Sequence, residues 1–215
     1  MILAFLASAV LAQAACPTGA PGAACRAVAA TKANQPATAA IEFEAAAAAS
    51  SGPARDRALA AAGNMWIAAG QPGKAALALD RALAGTGLQA EQRGEALLDR
   101  ARAAEAQNDL KLARAKVTEA AGTISADPFL WYFSAALAIR EGDAATAKAA
   151  IGRALSLAPS DALALFEAGH VYHFAGELAK ARDYWRRAAA AEPTSPTAKA
   201  AAEALALLDK PAAPK

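Results

Sequence analysis

A self-similarity at 34 residues constrains this chain of 215 residues more than any other feature. Pro159 and Pro193 are 34 apart, as are Gly142 and Gly176, Ala147 and Ala181, and Ala154 and Ala188. A fixed period of this length marks a stacked array, in which each unit buries its apolar face only against its neighbours. Four units keep the phase. The first runs from Asp56 through Leu59, Gly63, Trp66, Gly70, Ala75, Leu79 and Ala82, and the second from Gly94 through Leu97, Ala101, Ala104, Asn108, Ala113, Val117 and Ala120. The third starts at Pro128 with Trp131, Ala135, Gly142, Ala147, Ile151, Ala154 and Pro159. The fourth starts at Ala162 with Leu165, Gly169, Tyr172, Gly176, Ala181, Trp185, Ala188 and Pro193. Four extra residues, Ala90 to Arg93, separate the first from the second.

Composition makes the units helical. About a third of the residues are alanine, the strongest helix former, and glycine and proline fall mainly between the alanine-rich runs. Each unit reads as two helices. Gly70, Asn108, Gly142 and Gly176 sit where the first must end, because glycine and asparagine enter the left-handed cap at little cost. Prolines stop the second helix, Asp127 before Pro128 is an N-cap, and Ser160 or Asp161 plays that part for the next unit.

These units resemble tetratricopeptide repeats, whose pattern runs large, small, aromatic, then alanine, aromatic, alanine and a closing proline. The unit from Ala162 follows it most fully. The unit from Gly94 departs most, with Arg100 at an apolar place and Ser125 for the proline. The resemblance covers residues 56–195. It implies an all-α fold, a right-handed α-α superhelix (solenoid) of about four 34-residue helix-turn-helix repeats with flanking capping helices. It also implies a concave groove lined by the first helices. Carried over by position, that groove takes in Arg57, Asn64, Glu95, Leu98 and Arg102, then Phe129, Tyr132, Ile139 and Arg140, then Phe166, His170, His173 and Phe174. The candidate partner-binding residues are Asn64, Arg102, Phe129, Tyr132, Arg140, Phe166, His170 and His173: polar at one end, aromatic at the other. Packing of these aromatics between adjacent helices is the alternative. The family's subclass that grips a C-terminal carboxylate is not matched, because Ala60, Asp99, Phe129 and Phe133 replace the side chains it needs around Asn64.

The flanks carry other signals. Residues 1–15 are uncharged, with an apolar run from Ile2 to Leu11 and a small-x-small site at Ala12-Gln13-Ala14, so a signal peptide cleaved after Ala14 or Ala15 is expected. Residues 16–36 read as a flexible linker holding both cysteines. A Cys16–Cys25 disulfide suits an exported chain, with acylation of Cys16 as the alternative. A capping helix is expected within 37–55, over Ala37 to Ala49 with Ile41 and Phe43 as its large residues. A closing helix is expected over 196–209 and a disordered tail over 210–215. The sequence thus points to a periplasmic or secreted protein with no stable membrane span once the signal is cut.

Little points to chemistry. His170 and His173 share a helix face and could form half of a metal site, with Glu167 one turn away, but the stronger reading is a pair of groove-lining polar residues. No cofactor, metal or catalytic constellation is called for. A net charge of +2 does not suit a nucleic-acid binder. The expected partner is a protein or peptide, as for an envelope assembly accessory factor; a structural, self-associating component is the alternative.

Overall fold

The computed structural model describes residues 16–208, which form eleven α-helices with no strand among them. In chain order these are α1 (Ala23–Lys32), α2 (Pro36–Ala48), α3 (Gly52–Ala68), α4 (Pro72–Ala84), α5 (Ala90–Ala106) and α6 (Leu110–Ala121). They continue with α7 (Pro128–Glu141), α8 (Ala144–Leu157), α9 (Ala162–Phe174), α10 (Leu178–Ala191) and α11 (Pro196–Leu208). The signal peptide and tail expected at the two ends fall outside the described residues. Helices pack with their chain neighbours as antiparallel pairs, and α3 also lies along α5, and α7 along α9. The result is a tetratricopeptide-type solenoid closed by α11, whose Ala198 and Ala201 are buried.

The four expected repeats are the pairs α3–α4, α5–α6, α7–α8 and α9–α10, and a further pair, α1–α2, precedes them. The flexible linker expected over 16–36 is instead a 3-10 turn, Ala20–Gly22, running into α1. Its alanine-rich second half forms a helix because Ala23, Ala27 and Ala30 find a buried place in the α1–α2 pair. The Pro/Gly-rich first half is tied down. Cys16 and Cys25 are joined in a disulfide, and Arg26 donates to the carbonyls of Pro17 and Gly19 while pairing with Glu42 of α2 at 2.7 Å. The helix expected as a lone cap is therefore the second member of a pair. Its Ile41 is 57% exposed, and only Phe43 packs against the core.

One turn closes every pair. Asn34, Gly70, Asn108, Gly142 and Gly176 all have positive φ, between 54° and 78°. The next residue's N–H then reaches back to a first-helix carbonyl: Gln35 to Ala30, Gln71 to Trp66, Asp109 to Ala104, Asp143 to Ala138 and Glu177 to Tyr172, at 2.8–2.9 Å. This double-back is the Schellman arrangement, and it satisfies carbonyls that a frayed helix end would leave open. Asp109, Asp143 and Asp161 then cap the N-termini of α6, α8 and α9 by accepting backbone N–H bonds.

Within each full repeat a small residue of the first helix receives a bulky one from the second. The pairs are Gly63 with Leu79, Ala101 with Val117, Ala135 with Ile151 and Gly169 with Trp185, all buried. Glycine stands opposite the larger Leu and Trp, and alanine opposite the narrower β-branched pair, so the helices keep a close approach. A Cβ at Gly169 would lie 2.2 Å from Trp185 Cδ1. Gly169→Ala is therefore expected to destabilise the protein by about 1–3 kcal/mol through overpacking. Combining it with Trp185→Ile, which recreates the Ala135–Ile151 pair, should cost clearly less than the sum of the two single changes in thermal melts. Additive losses would show that the two residues do not share one packing site.

Candidate partner-binding groove

The first helices α3, α5, α7 and α9 present one continuous wall holding two cavities. The first, about 540 Å³, is lined by Arg57, Asn64, Glu95, Asp99 and Arg102 of α3 and α5. It is closed by Phe129 of α7 on one side and by Thr31 and Phe43 of the α1–α2 pair on the other. The second, about 580 Å³, lies between α7 and α9 and is lined by Ala136, Ile139, Arg140, Glu167, His170, His173 and Phe174. Of the eight candidate residues, Asn64, Arg102 and Phe129 line the first cavity and Arg140, His170 and His173 the second. Tyr132 and Phe166 line neither of these two. The aromatic half is thus less separate than the sequence suggested, because Phe129 belongs to the charged cavity.

Several of these side chains are held by neighbours. Asp99 accepts from Asn64 Nδ2 and from an Arg102 guanidinium nitrogen, both at 2.8 Å, and fixes the two across α3 and α5. The Arg102 guanidinium also sits 5.4 Å over the Phe129 ring, and Phe129 meets Tyr132 edge to face at 4.9 Å. Arg140 pairs with Glu105 and donates to Asn108 Oδ1 at 2.8 Å, so α7 is tied to the end of α5. Phe166 packs edge to face on His170 at 4.5 Å. The imidazoles of His170 and His173 lie 5.4 and 5.7 Å from the Trp185 ring, whose N–H donates to the Phe166 carbonyl. Both histidines therefore do structural work on Trp185 as well as lining the second cavity, whereas Phe166 packs against the core around Trp185.

The wall carries charges of both signs. Burial, helped by Glu91, Asp99 and Asp127, raises the Glu95 carboxyl above its usual range. Burial also raises the Tyr132 phenol, with Asp161, Asp127 and Glu167 adding to the effect. The His170 imidazole is pushed down by burial and by His173. Glu167 is pushed up to about 7 by burial alone. Sequence reading placed Glu167 only as a metal ligand, and among the described residues no three His, Cys, Asp or Glu side chains converge on a metal position. It also missed Thr31, Phe43, Met65 and Gln92. The first two lay in or beside the misread linker, although Asn34-Gln35-Pro36 repeats the pattern of Gly70-Gln71-Pro72 and signals the pair.

No protein-family model and no curated protein sequence matches the chain. Solved structures do. A tetratricopeptide repeat protein from Parabacteroides merdae superposes with a TM-score of 0.69 at 14% identity, over 88% of this chain and 72% of the other. PilF of Pseudomonas aeruginosa gives 0.67 at 18% identity, over 87% and 83%. YrrB, described as a tetratricopeptide repeat protein with an unusual peptide-binding site, gives 0.59 at 18%, over 86% and 92%. The fold is that of the tetratricopeptide repeat proteins.

The raised Glu167 carboxyl has a measurable consequence. The folded chain holds this proton more tightly than the unfolded chain, whose carboxyl titrates near 4.5. The stability this proton contributes is complete below that range and falls away as pH rises to about 7. Glu167→Gln removes the dependence. The melting temperature of the variant relative to the parent is expected to rise from pH 4.5 to pH 8; a constant gap would place Glu167 in open solvent.

Proposed function

We propose that the protein is an exported, non-catalytic docking module whose concave groove holds an extended peptide or partner helix, serving as an accessory factor in envelope assembly. The observation that carries this reading is the pair of cavities lined by successive first helices, with Phe129, in edge-to-face contact with Tyr132, on the wall of the first. Such a wall offers side-chain pockets at intervals with aromatic anchors among their linings, as recognition of an extended chain requires. The peptide-binding site named for YrrB supports the reading by analogy of fold. The uncharged apolar start and the cysteine pair support export, and among the described residues no helix is long and apolar enough to cross a membrane.

A second reading, self-association, draws on Ile41 and Leu77. They occupy the same position of α2 and α4 and are 57% and 68% exposed.

Affinity capture with the intact protein and its groove variants separates the two. Truncating a central aromatic anchor commonly costs about 2 kcal/mol of binding or more. Tyr132→Ala is expected to weaken capture of a partner at least about tenfold more than Arg57→Ala, with helical content unchanged by circular dichroism. If capture survives Tyr132→Ala but is lost with Leu77→Glu, the convex side is the binding surface. N-terminal sequencing from the native host is expected to find a chain beginning at Ala15 or Cys16; an intact Met1 in a cytoplasmic fraction would refute export.

A further inference from the structure

The cavity between α7 and α9 holds one carboxyl group without a partner among the described residues. Arg140 is engaged by Glu105 and Asn108, and His170 is pressed between Phe166 and Trp185. Glu167 is largely buried, yet no hydrogen bond or ion pair to it is found among the described residues. Its surroundings in the cavity are a mixture of Ala136, Ile139 and Phe174, the last 40% exposed, with the two imidazoles. With Arg140 engaged elsewhere, the Glu167 carboxyl has no paired cation, and the cavity leaves space beside it.

We propose that this cavity receives a lysine or arginine side chain of an extended peptide lying in the groove, its head pairing with the Glu167 carboxylate and its aliphatic stem covering Ile139 and Phe174. The inference rests on the groove reading above and specifies what the groove selects. Long basic side chains bury their stems on apolar surface while their heads seek a charge, and an aromatic wall adds attraction for the cation. The burial that raises Glu167 to about 7 penalises its ionised form, and a seated cation removes that penalty. The rest of the wall carries both signs. Glu95, Asp99 and Asp127 face the first cavity against Arg57 and Arg102, and Asp161 lies near Tyr132. An acidic segment would meet Glu167 with like charge.

A random dodecapeptide library displayed on phage and panned on the intact protein tests this, with affinities of the selected peptides read by fluorescence anisotropy. The selected peptides are expected to share a lysine or arginine beside an apolar residue. Replacing that residue by norleucine should weaken binding to the parent protein at least about tenfold, and binding to Glu167→Gln by less than about twofold. The norleucine exchange is made on unaltered protein, so a folding defect in the variant cannot imitate the result. Peptides whose binding falls with Tyr132→Ala but ignores both the norleucine exchange and Glu167→Gln would overturn the cation pocket and leave the groove reading intact. Selection of acidic residues at that position would also overturn it. An empty selection would overturn both.

Discussion

Every other feature of this solenoid depends on one backbone event, the left-handed residue that ends each first helix. At Asn34, Gly70, Asn108, Gly142 and Gly176 the chain reverses within a few residues and sends the second helix back along the first. For most L-residues this conformation is costly, and only glycine, and to a lesser degree asparagine, adopts it readily. Five repetitions of the same reversal set the first helices side by side. A groove exists because the turns agree; with one of them in another conformation, the wall from α3 to α9 would break at that repeat.

The small-against-large contacts then fix how closely each pair approaches. Gly169 with Trp185 and Gly63 with Leu79 use the absence of a Cβ, whereas Ala101 and Ala135 accept the slimmer Val117 and Ile151. Alanine elsewhere gives helical propensity without bulk, so propensity and packing ask for the same residue. The arrangement also explains why the histidines are not free groove residues. Trp185 fills the gap over Gly169, and His170 and His173 lean on its ring.

The array from Asp56 onward was legible in the sequence because its signals are local and periodic: a turn residue, a small residue and a bulky residue at constant offsets. The first pair was not legible as a pair, because the Pro/Gly segment around Cys16 to Gly22 overrode the helical run that follows it. What identifies it, the Asn34-Gln35-Pro36 reversal, is 36 residues from Gly70-Gln71-Pro72 and so lies off the period. The inward face was legible from phase, but the division into two cavities was not. That division rests on tethers between repeats, Asp99 to Asn64 and Arg140 to Glu105, and no single unit encodes them. Nor does phase reveal Ile124. This residue comes from the loop that lacks the usual proline, is buried, and lies over Gly94.

The weakest packing in the array is at the junction where that loop sits. The helices α5 and α7 scarcely touch, in contrast to α3 with α5 and α7 with α9. Polar groups hold the junction from both sides. On one, Arg114 of α6 bonds Ser134 at 2.8 Å and pairs with Glu141 of α7 at 2.5 Å; on the other, Arg140 of α7 reaches Glu105 and Asn108. Asn108 therefore has two tasks. Its backbone takes the left-handed turn, and its side-chain oxygen anchors the next repeat, which a glycine could not do. This gives a physical reason for asparagine at one turn where the three after α3, α7 and α9 use glycine. It also joins the two levels of the structure: the residue that reverses the chain in the second repeat helps to set the spacing between the first cavity and the second.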